Sequence, residues 1–299
     1  MPAPARGRSR FASVLYHCTM LSYRHGFHAG NHADVLKHFI LVQLLGHLLQ
    51  KDKPLWYIDT HAGAAQYALT DSTALKNSEF ETGIGRLWGQ RGLPKALEAY
   101  VAQVRMLNPA GRKLRNYPGS PQFALQMLRA EDRLRLFEKH STEIRILQQN
   151  LGGDARRAIA YAGDGFDGLK AMLPPLSRRG LILIDPSYED KADYKRTKQT
   201  LVDALTRFAT GTYAVWYPQV QRRESRQLPG SLKLAGASDW LNVSLTVKAP
   251  AADGYGLHGS GMFIVNPPWT LAGMLRETMP WLVDALAQDH EGTFLLEAS

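Results

Sequence analysis

The sequence predicts an α/β fold: a mostly parallel seven-stranded sheet with helices on both faces, a terminal antiparallel hairpin and a small inserted helical subdomain. Three observations carry this expectation. Short apolar runs bounded by turn residues alternate with stretches of helical spacing, which is how a parallel sheet buried on both faces reads. The last two runs are placed to pair as a hairpin. One interval between strands is far too long for a plain doubly wound sheet.

The apolar runs fall at residues 55–59, 134–138, 158–162, 181–185 and 213–217, with the hairpin runs at 241–247 and 262–265. Helical spacing fills stretches such as 35–49 and 142–151. In a dinucleotide-type fold, the acid ending the second strand lies about 20 residues beyond the first glycine turn. Here Gly63 and Glu138 are 75 residues apart. The segment from about 66 to 117 takes up the excess. It carries helical patterns at 82–90 and 94–107 and several Lys and Arg. We read it as a helical insertion beside a ligand-binding mouth, with a strand hidden inside it as the alternative.

The chain has 299 residues, 44% hydrophobic and 21% charged, an ordinary globular composition. Its 36 basic residues against 27 acidic give a net charge of +9, which favours polyanionic partners and nucleic acid first. The bland alternative is a basic protein with no such partner. Residues 1–19 differ from the rest: they hold Arg6, Arg8 and Arg10, no acid, and a short apolar stretch broken by Ser13. That stretch is too short for a secretory signal. Met20 is the expected natural start, residues 1–19 a flexible extension, and 20–299 one folded domain. The single cysteine, Cys18, lies in the extension. The body therefore offers no disulfide, cysteine zinc site or cysteine nucleophile, and a reducing cytoplasm is the expected compartment. No apolar run reaches the length of about 18 residues needed to span a membrane.

The sharpest motif is Leu181-Ile182-Leu183-Ile184-Asp185-Pro186-Ser187-Tyr188. An apolar strand ends in an acid, a proline and an aromatic, and ligands of open α/β sheets sit at such strand ends. An adenine amino nitrogen is a poor nucleophile because its lone pair is delocalised into the ring. The Asp185 carboxylate can accept one amino hydrogen and the Pro186 carbonyl the other. Tyr188 offers a π-face for an extruded base. A plain Asp-Pro turn is the competing reading. The order of residues resembles the (Asp/Asn/Ser)-Pro-Pro-(Tyr/Phe/Trp) signature of amino-methyltransferases acting on adenine N6 or cytosine N4. Ser187 stands where the second proline usually is, so a looser turn is expected. Asn266-Pro267-Pro268-Trp269 matches the same signature letter for letter. Its place after all the expected cofactor segments makes it a rigid strand exit instead.

The first strand runs into Asp59-Thr60-His61-Ala62-Gly63-Ala64, a small-residue turn that lets a nucleotide approach the backbone. Glu138, at the end of the second long strand, is placed for ribose hydroxyls. Asp164-Gly165, after the third, is placed for an adenine amine. Near the start, His25, His28, His32 and His38 invite a metal reading, and His28 and His32 are four apart. Gly30 interrupts the helix that such a pair needs. An arm that binds phosphate and stacks bases is preferred.

The stretch from Met20 to His38, with DTHAG (59–63), YPGSP (117–121), SRRGLILIDPSY (177–188), RFATGTYAVWYP (207–218) and NPPW, resembles the RlmJ family of 23S rRNA adenine-N6 methyltransferases. The resemblance implies a Rossmann-like class I methyltransferase fold. It implies S-adenosylmethionine as cofactor, S-adenosylhomocysteine as product and no metal. It implies that residues matching His38, His61, Ser120, Glu138, Asp164, Gly165 and Asp185 hold the cofactor. Asp185 would be the catalytic acceptor, with Pro186 and Tyr188 beside it. Tyr23 would contact the substrate adenosine, with Lys37 a neighbour. The implied target is the adenine at position 2030 of 23S rRNA, naked or in early large-subunit assembly. A monomer is expected because no coiled-coil heptad appears. The competing readings are a DNA amino-methyltransferase, a catalytically silent RNA-binding assembly factor and a histidine-metal hydrolase.

Overall fold

The computed structural model describes residues 25–109, 113–152 and 156–299. The extension 1–19, Met20 and Tyr23 lie outside the described residues. Strand β1 (Trp56–Asp59) is followed by a two-stranded ribbon, β2 (Gln66–Ala68) with β3 (Asn116–Pro118). Then come β4 (Arg133–Glu138), β5 (Ala158–Ala162), β6 (Gly180–Ile184), β7 (Thr212–Gln219), β8 (Trp240–Thr246), β9 (Gly259–Val265) and β10 (Thr293–Ala298). All but the ribbon form one sheet in the order β10-β8-β9-β7-β6-β1-β4-β5. The five from β7 to β5 are parallel, and β9, β8 and β10 add on in antiparallel fashion.

The sheet has eight strands rather than the expected seven. The additional one, β10, pairs with β8 from Thr293↔Thr246 to Ala298↔Leu241. It is an edge strand whose residues alternate between exposed and half-buried. It therefore lacks the continuous apolar run by which the inner strands are recognised.

The helices are α1 (His32–Leu48), α2 (Ser72–Asn77), α3 (Ile84–Trp88), α4 (Lys95–Met106), α5 (Ser120–Met127), α6 (Ser141–Asn150), α7 (Gly165–Met172), α8 (Ala192–Arg207), α9 (Arg223–Lys233) and α10 (Leu271–Leu286). Alternate residues of the inner strands feed two cores, as the two-residue period of a strand requires. Tyr57, Leu181, Leu183 and Ala214 join the core built with α1, α4, α5 and α10. Ile58, Ile182, Ile184 and Val215 join the core built with α7, α8 and α9. Between β2 and β3 lie α2, α3 and α4, and Leu97, Tyr100, Val101 and Val104 of α4 are buried in the first core with Leu36, Phe39 and Ile40 of α1.

Helix α1 starts at Asn31, whose side chain accepts from the backbone N–H groups of Ala33 and Asp34 at 3.0 Å each. It is buried on nearly every side, so polar residues in its first turns are held inside the molecule. The chain leaves β1 in one direction for β4 and β5, then returns to β6 on the other side of β1. Successive crossovers part at this point and open a crevice above the carboxyl ends of β1 and β6.

Candidate functional site

That crevice is a cavity of about 580 Å³, within the range of small-ligand sites. Its lining collects residues from the turns after β1, β4, β5 and β6, from α1 and from β7. Of the residues singled out in the sequence, Lys37, His38, His61, Ser120, Glu138, Asp164, Gly165, Asp185, Pro186 and Tyr188 all line it. Tyr23 lies outside the described residues.

Asp185 follows the last residue of β6. Lys37, one side-chain length into α1, donates from Nζ to Asp185 Oδ2 at 2.7 Å and reaches Asp34 Oδ1 at 2.9 Å. Asp34 is held in turn by the Gly30 N–H at 2.9 Å and by His25 Nε2 at 2.8 Å. Asp185 Oδ1 has no partner among the described residues and is available to a ligand. Burial pushes the Asp185 carboxyl up to about 6, against the opposing pull of the Lys37 ammonium. Burial alone would lower Lys37, but the two carboxylates reverse this and raise it, so it stays charged. The Lys37 ammonium also lies 5.8 Å from the Trp216 ring, on the β7 side.

The turn after β1 is built on Asp59. It is fully buried and accepts from Tyr57 Oη at 2.8 Å, Ser120 Oγ at 2.6 Å and the His61 N–H at 3.1 Å. Ser120 opens α5, so this carboxylate ties the far end of the insertion to β1. His61 shares a 2.8 Å hydrogen bond with Thr60 Oγ1 and meets the edge of Phe166 at 4.8 Å. Burial lowers it to about 4, so it is neutral. Gly63 adopts φ +61 and donates its N–H to Glu138 Oε2 at 2.9 Å, while the His140 N–H donates to Oε1 at 2.6 Å. Burial holds Glu138 above the usual carboxylate value in spite of these donors. Ala65, where a second glycine could have stood, takes the left-handed conformation at φ +68.

Asp164 caps α7 through a 3.0 Å bond from the Phe166 N–H and binds Arg196 Nη2 at 3.0 Å. Burial opposes its charge, but Arg196 and Lys139 outweigh burial and hold it below its usual value. Gly165 has a steric reason to be glycine, because a Cβ there would run into the Thr60 carbonyl oxygen. His38 Nδ1 shares a 2.8 Å bond with Tyr117 Oη, which shares another of 2.9 Å with Tyr100. The ring is 1% exposed, and its Nε2 has no partner among the described residues. Burial holds it neutral. A buried polar atom without a partner, on a residue that lines the cavity, calls for a physical reason, and a bound ligand supplies one.

Tyr188 is placed differently from its expected role as an open stacking face. Its backbone is left-handed at φ +54, its ring is 2% exposed, and it packs against Tyr194 at 4.6 Å and Trp216 at 5.9 Å. Its hydroxyl donates to the Trp216 carbonyl at 2.7 Å. The turn expected to be looser for want of a proline at Ser187 is fastened from outside. Arg222 donates from Nη1 to the carbonyls of Tyr188 and Glu189 at 3.1 and 3.3 Å. Asn266 lies at the end of β9, which runs antiparallel to β7, and so at the opposite edge of the sheet from Asp185. Its amide donates to the Ala209 and Gly211 carbonyls, which makes it a strand exit.

Ribosomal RNA large subunit methyltransferase D, RlmJ, is the description of the family model that matches residues 52–297. The chain belongs to this family. Two relatives, both described as ribosomal RNA large subunit methyltransferase J, extend the likeness toward the amino terminus. One, from Haemophilus influenzae, is 43% identical over 93% of this chain and 98% of its own length. The other, from Escherichia coli, is 46% identical over 91% and 96%. A crystal structure of a Legionella pneumophila protein superposes with a TM-score of 0.84 at 36% identity, covering 91% of this chain and 98% of that one. With this membership the strand order is that of a class I methyltransferase, and the chain is an enzyme of ribosomal RNA methylation.

Sequence reasoning named His25 only within a histidine-rich arm or metal set and Asp59 only within the turn after the first strand, and it passed over Asp34 and Trp216 as parts of the site. Asp34 and Lys37 stand three apart on one helix face, a spacing that signals a pair. No group of three or more metal-ligating side chains comes together among the described residues. His28 lies in the turn before α1 and bonds Glu79 at 2.9 Å, whereas His32 opens the helix, so the two do not share a helix face.

Proposed function

We propose that this enzyme transfers a methyl group from S-adenosylmethionine to the exocyclic N6 of one adenine in large-subunit ribosomal RNA, the adenine at position 2030 of 23S rRNA. The observation that carries the reading is Asp185, half-buried just after β6 with one oxygen anchored by Lys37 and the other open to the cavity. Expected in the same reading are a cytoplasmic monomer and no metal. No helix among the described residues is long and apolar enough to cross a membrane.

The cavity's donors and acceptors fit the cofactor. Glu138 would accept from a ribose diol, and Asp164 and the backbone at Gly165 would hold an adenine edge. His38, His61 and Ser120 would meet the polar end. When bound, the cofactor supplies a methyl group on a positively charged sulfur. The chain's residues do the rest. Asp185 Oδ1 accepts one amino hydrogen and the Pro186 carbonyl the other, which draws electron density onto N6 and aims its lone pair. Holding the amine in line at near-attack distance removes much of the entropic barrier. Asp185 takes the proton that N6 loses. Tyr23 and Lys37 would contact the substrate adenosine. The Tyr188 ring buttresses the turn, because its faces are already covered by Tyr194 and Trp216.

Purified protein with methyl-labelled S-adenosylmethionine is expected to label unmodified large-subunit RNA as N6-methyladenosine, and to leave small-subunit RNA and duplex DNA unlabelled. Label on duplex DNA would make the enzyme a DNA amino-methyltransferase. Cofactor binding without label on any RNA would leave a silent assembly factor. Glu138→Gln removes a charged acceptor, so the cofactor Kd by calorimetry is expected to rise about tenfold or more. An unchanged Kd would remove Glu138 from the cofactor site.

A further inference from the structure

Six large apolar side chains stand exposed among the described residues: Met106, Leu176, Leu234, Tyr255, Trp269 and Leu295. Of these only Tyr255 lines the cavity, and it is 81% exposed there. It sits at the tip of the connection between β8 and β9. The root of that connection is fixed as an extension of the sheet: the Val247 N–H donates to the His258 carbonyl at 2.9 Å, and the His258 N–H donates to Gln219 at 3.1 Å. A side-chain bond of 2.7 Å from Gln221 to the Ala251 carbonyl ties its middle to the segment after β7.

The tip has a defined shape. Gly254 donates its N–H to the Ala251 carbonyl at 2.9 Å, and the Tyr255 N–H donates to Asp253 Oδ1 at 3.0 Å. Gly254 and Gly256, at φ +80 and +90, take backbone conformations that side chains rarely adopt. The two glycines hold the single residue between them out over the cavity mouth. Most of that ring is left in water, open to a ligand at the cavity mouth. Arg222 lines the same mouth, Lys248 stands at the loop's root, and the chain carries a net charge of +9. The ring that the catalytic turn could have offered, Tyr188, is buried.

Resting on the reaction proposed above, we infer that Tyr255 is a stacking arm for the unpaired RNA nucleotide adjoining the target adenosine. Drawing one base into the cavity strips its neighbour of a stacking partner. The Tyr255 ring replaces that face at the rim, while cations beside it meet the backbone phosphates. Such a contact holds the strand in register without reading the neighbour's identity, since every base has a π-face.

The test is equilibrium binding of unmodified large-subunit RNA across a salt series, using the full chain, Tyr255→Ala and Tyr255→Trp. Tyr255 is a surface residue, so both variants fold. Tyr255→Ala is expected to weaken binding about 5- to 100-fold with an unchanged salt slope, and Tyr255→Trp to bind like the parent. In transfer assays, Tyr255→Ala raises KM for RNA with kcat within about twofold. Parent-like binding by Tyr255→Ala would overturn the inference, as would a loss accompanied by a shallower salt slope, which marks phosphate contacts instead. The two readings fail separately. A parent that binds RNA through Tyr255 but methylates none sinks the activity, and a parent that methylates RNA while Tyr255→Ala is unimpaired sinks the stacking arm alone.

Discussion

Asp185→Ala is expected to lower methyl transfer to RNA by about a thousandfold or more, measured as single-turnover label incorporation. The size follows from the roles that one carboxylate combines. It accepts an amino hydrogen from a half-buried position, where a positioned hydrogen-bonding group is worth about 10²–10³ in rate. It also receives the proton, a contribution of about 10²–10⁴ when removed. The two overlap, so their product is an upper bound. Asp185→Asn separates them. Its amide oxygen can still accept one hydrogen in the same place but takes no proton, so a smaller loss, about a hundredfold, is expected. Thermal melts control for folding, since Asp185→Ala leaves Lys37 still paired with Asp34. Transfer at the parent's rate by Asp185→Ala would remove the turn after β6 from the chemistry.

The residues that could be read in advance share a physical reason. Glu138 ends β4, and Asp164 and Asp185 follow β5 and β6; the parallel strands of such a sheet read as short apolar runs with an acid at or just past the end. The chain direction alone then brings those acids to one edge. The supporting groups carry no such label. Asp34 and Lys37 at three-residue spacing look like a pair on a solvated helix face. Burial of α1 on nearly every side turns that pair inward, and burial is a property of the assembled sheet and helices. Asp59 ends a strand like the others, yet it is turned away from the cavity toward Ser120, a partner 61 residues on. Tyr188 could be read as an aromatic at the right place but not as one already covered by Tyr194 and Trp216. Tyr255 lies in a glycine-flanked loop, where sequence says that the chain turns but not which side of the molecule it turns over.

Replacing Lys37 with methionine is expected to move the acid limb of the pH–rate profile, a result that a merely structural lysine would not produce. In the parent, Asp185 must be ionised to accept a hydrogen from N6. Its carboxyl is pushed up to about 6 by burial, so transfer falls as pH drops through that value. The ammonium 2.7 Å away is the main group opposing burial. A charge at that distance typically lowers a carboxyl by about 1–3 pH units. Lys37→Met removes it, so the limb shifts upward by about that amount. At neutral pH the variant is then about 2- to 100-fold slower, and it recovers most of the difference as pH rises past the shifted value. Lys37→Arg keeps the charge and should keep the limb near its parent position even if the bulkier group costs some rate. A Lys37→Met profile depressed equally at every pH would make the lysine a packing residue. A limb still at about 6 in that variant would mean that the titrating group is not Asp185. If Asp185→Asn abolishes the limb and Lys37→Met displaces it, the same carboxyl is identified by two independent changes, one on the group itself and one on the charge that tunes it.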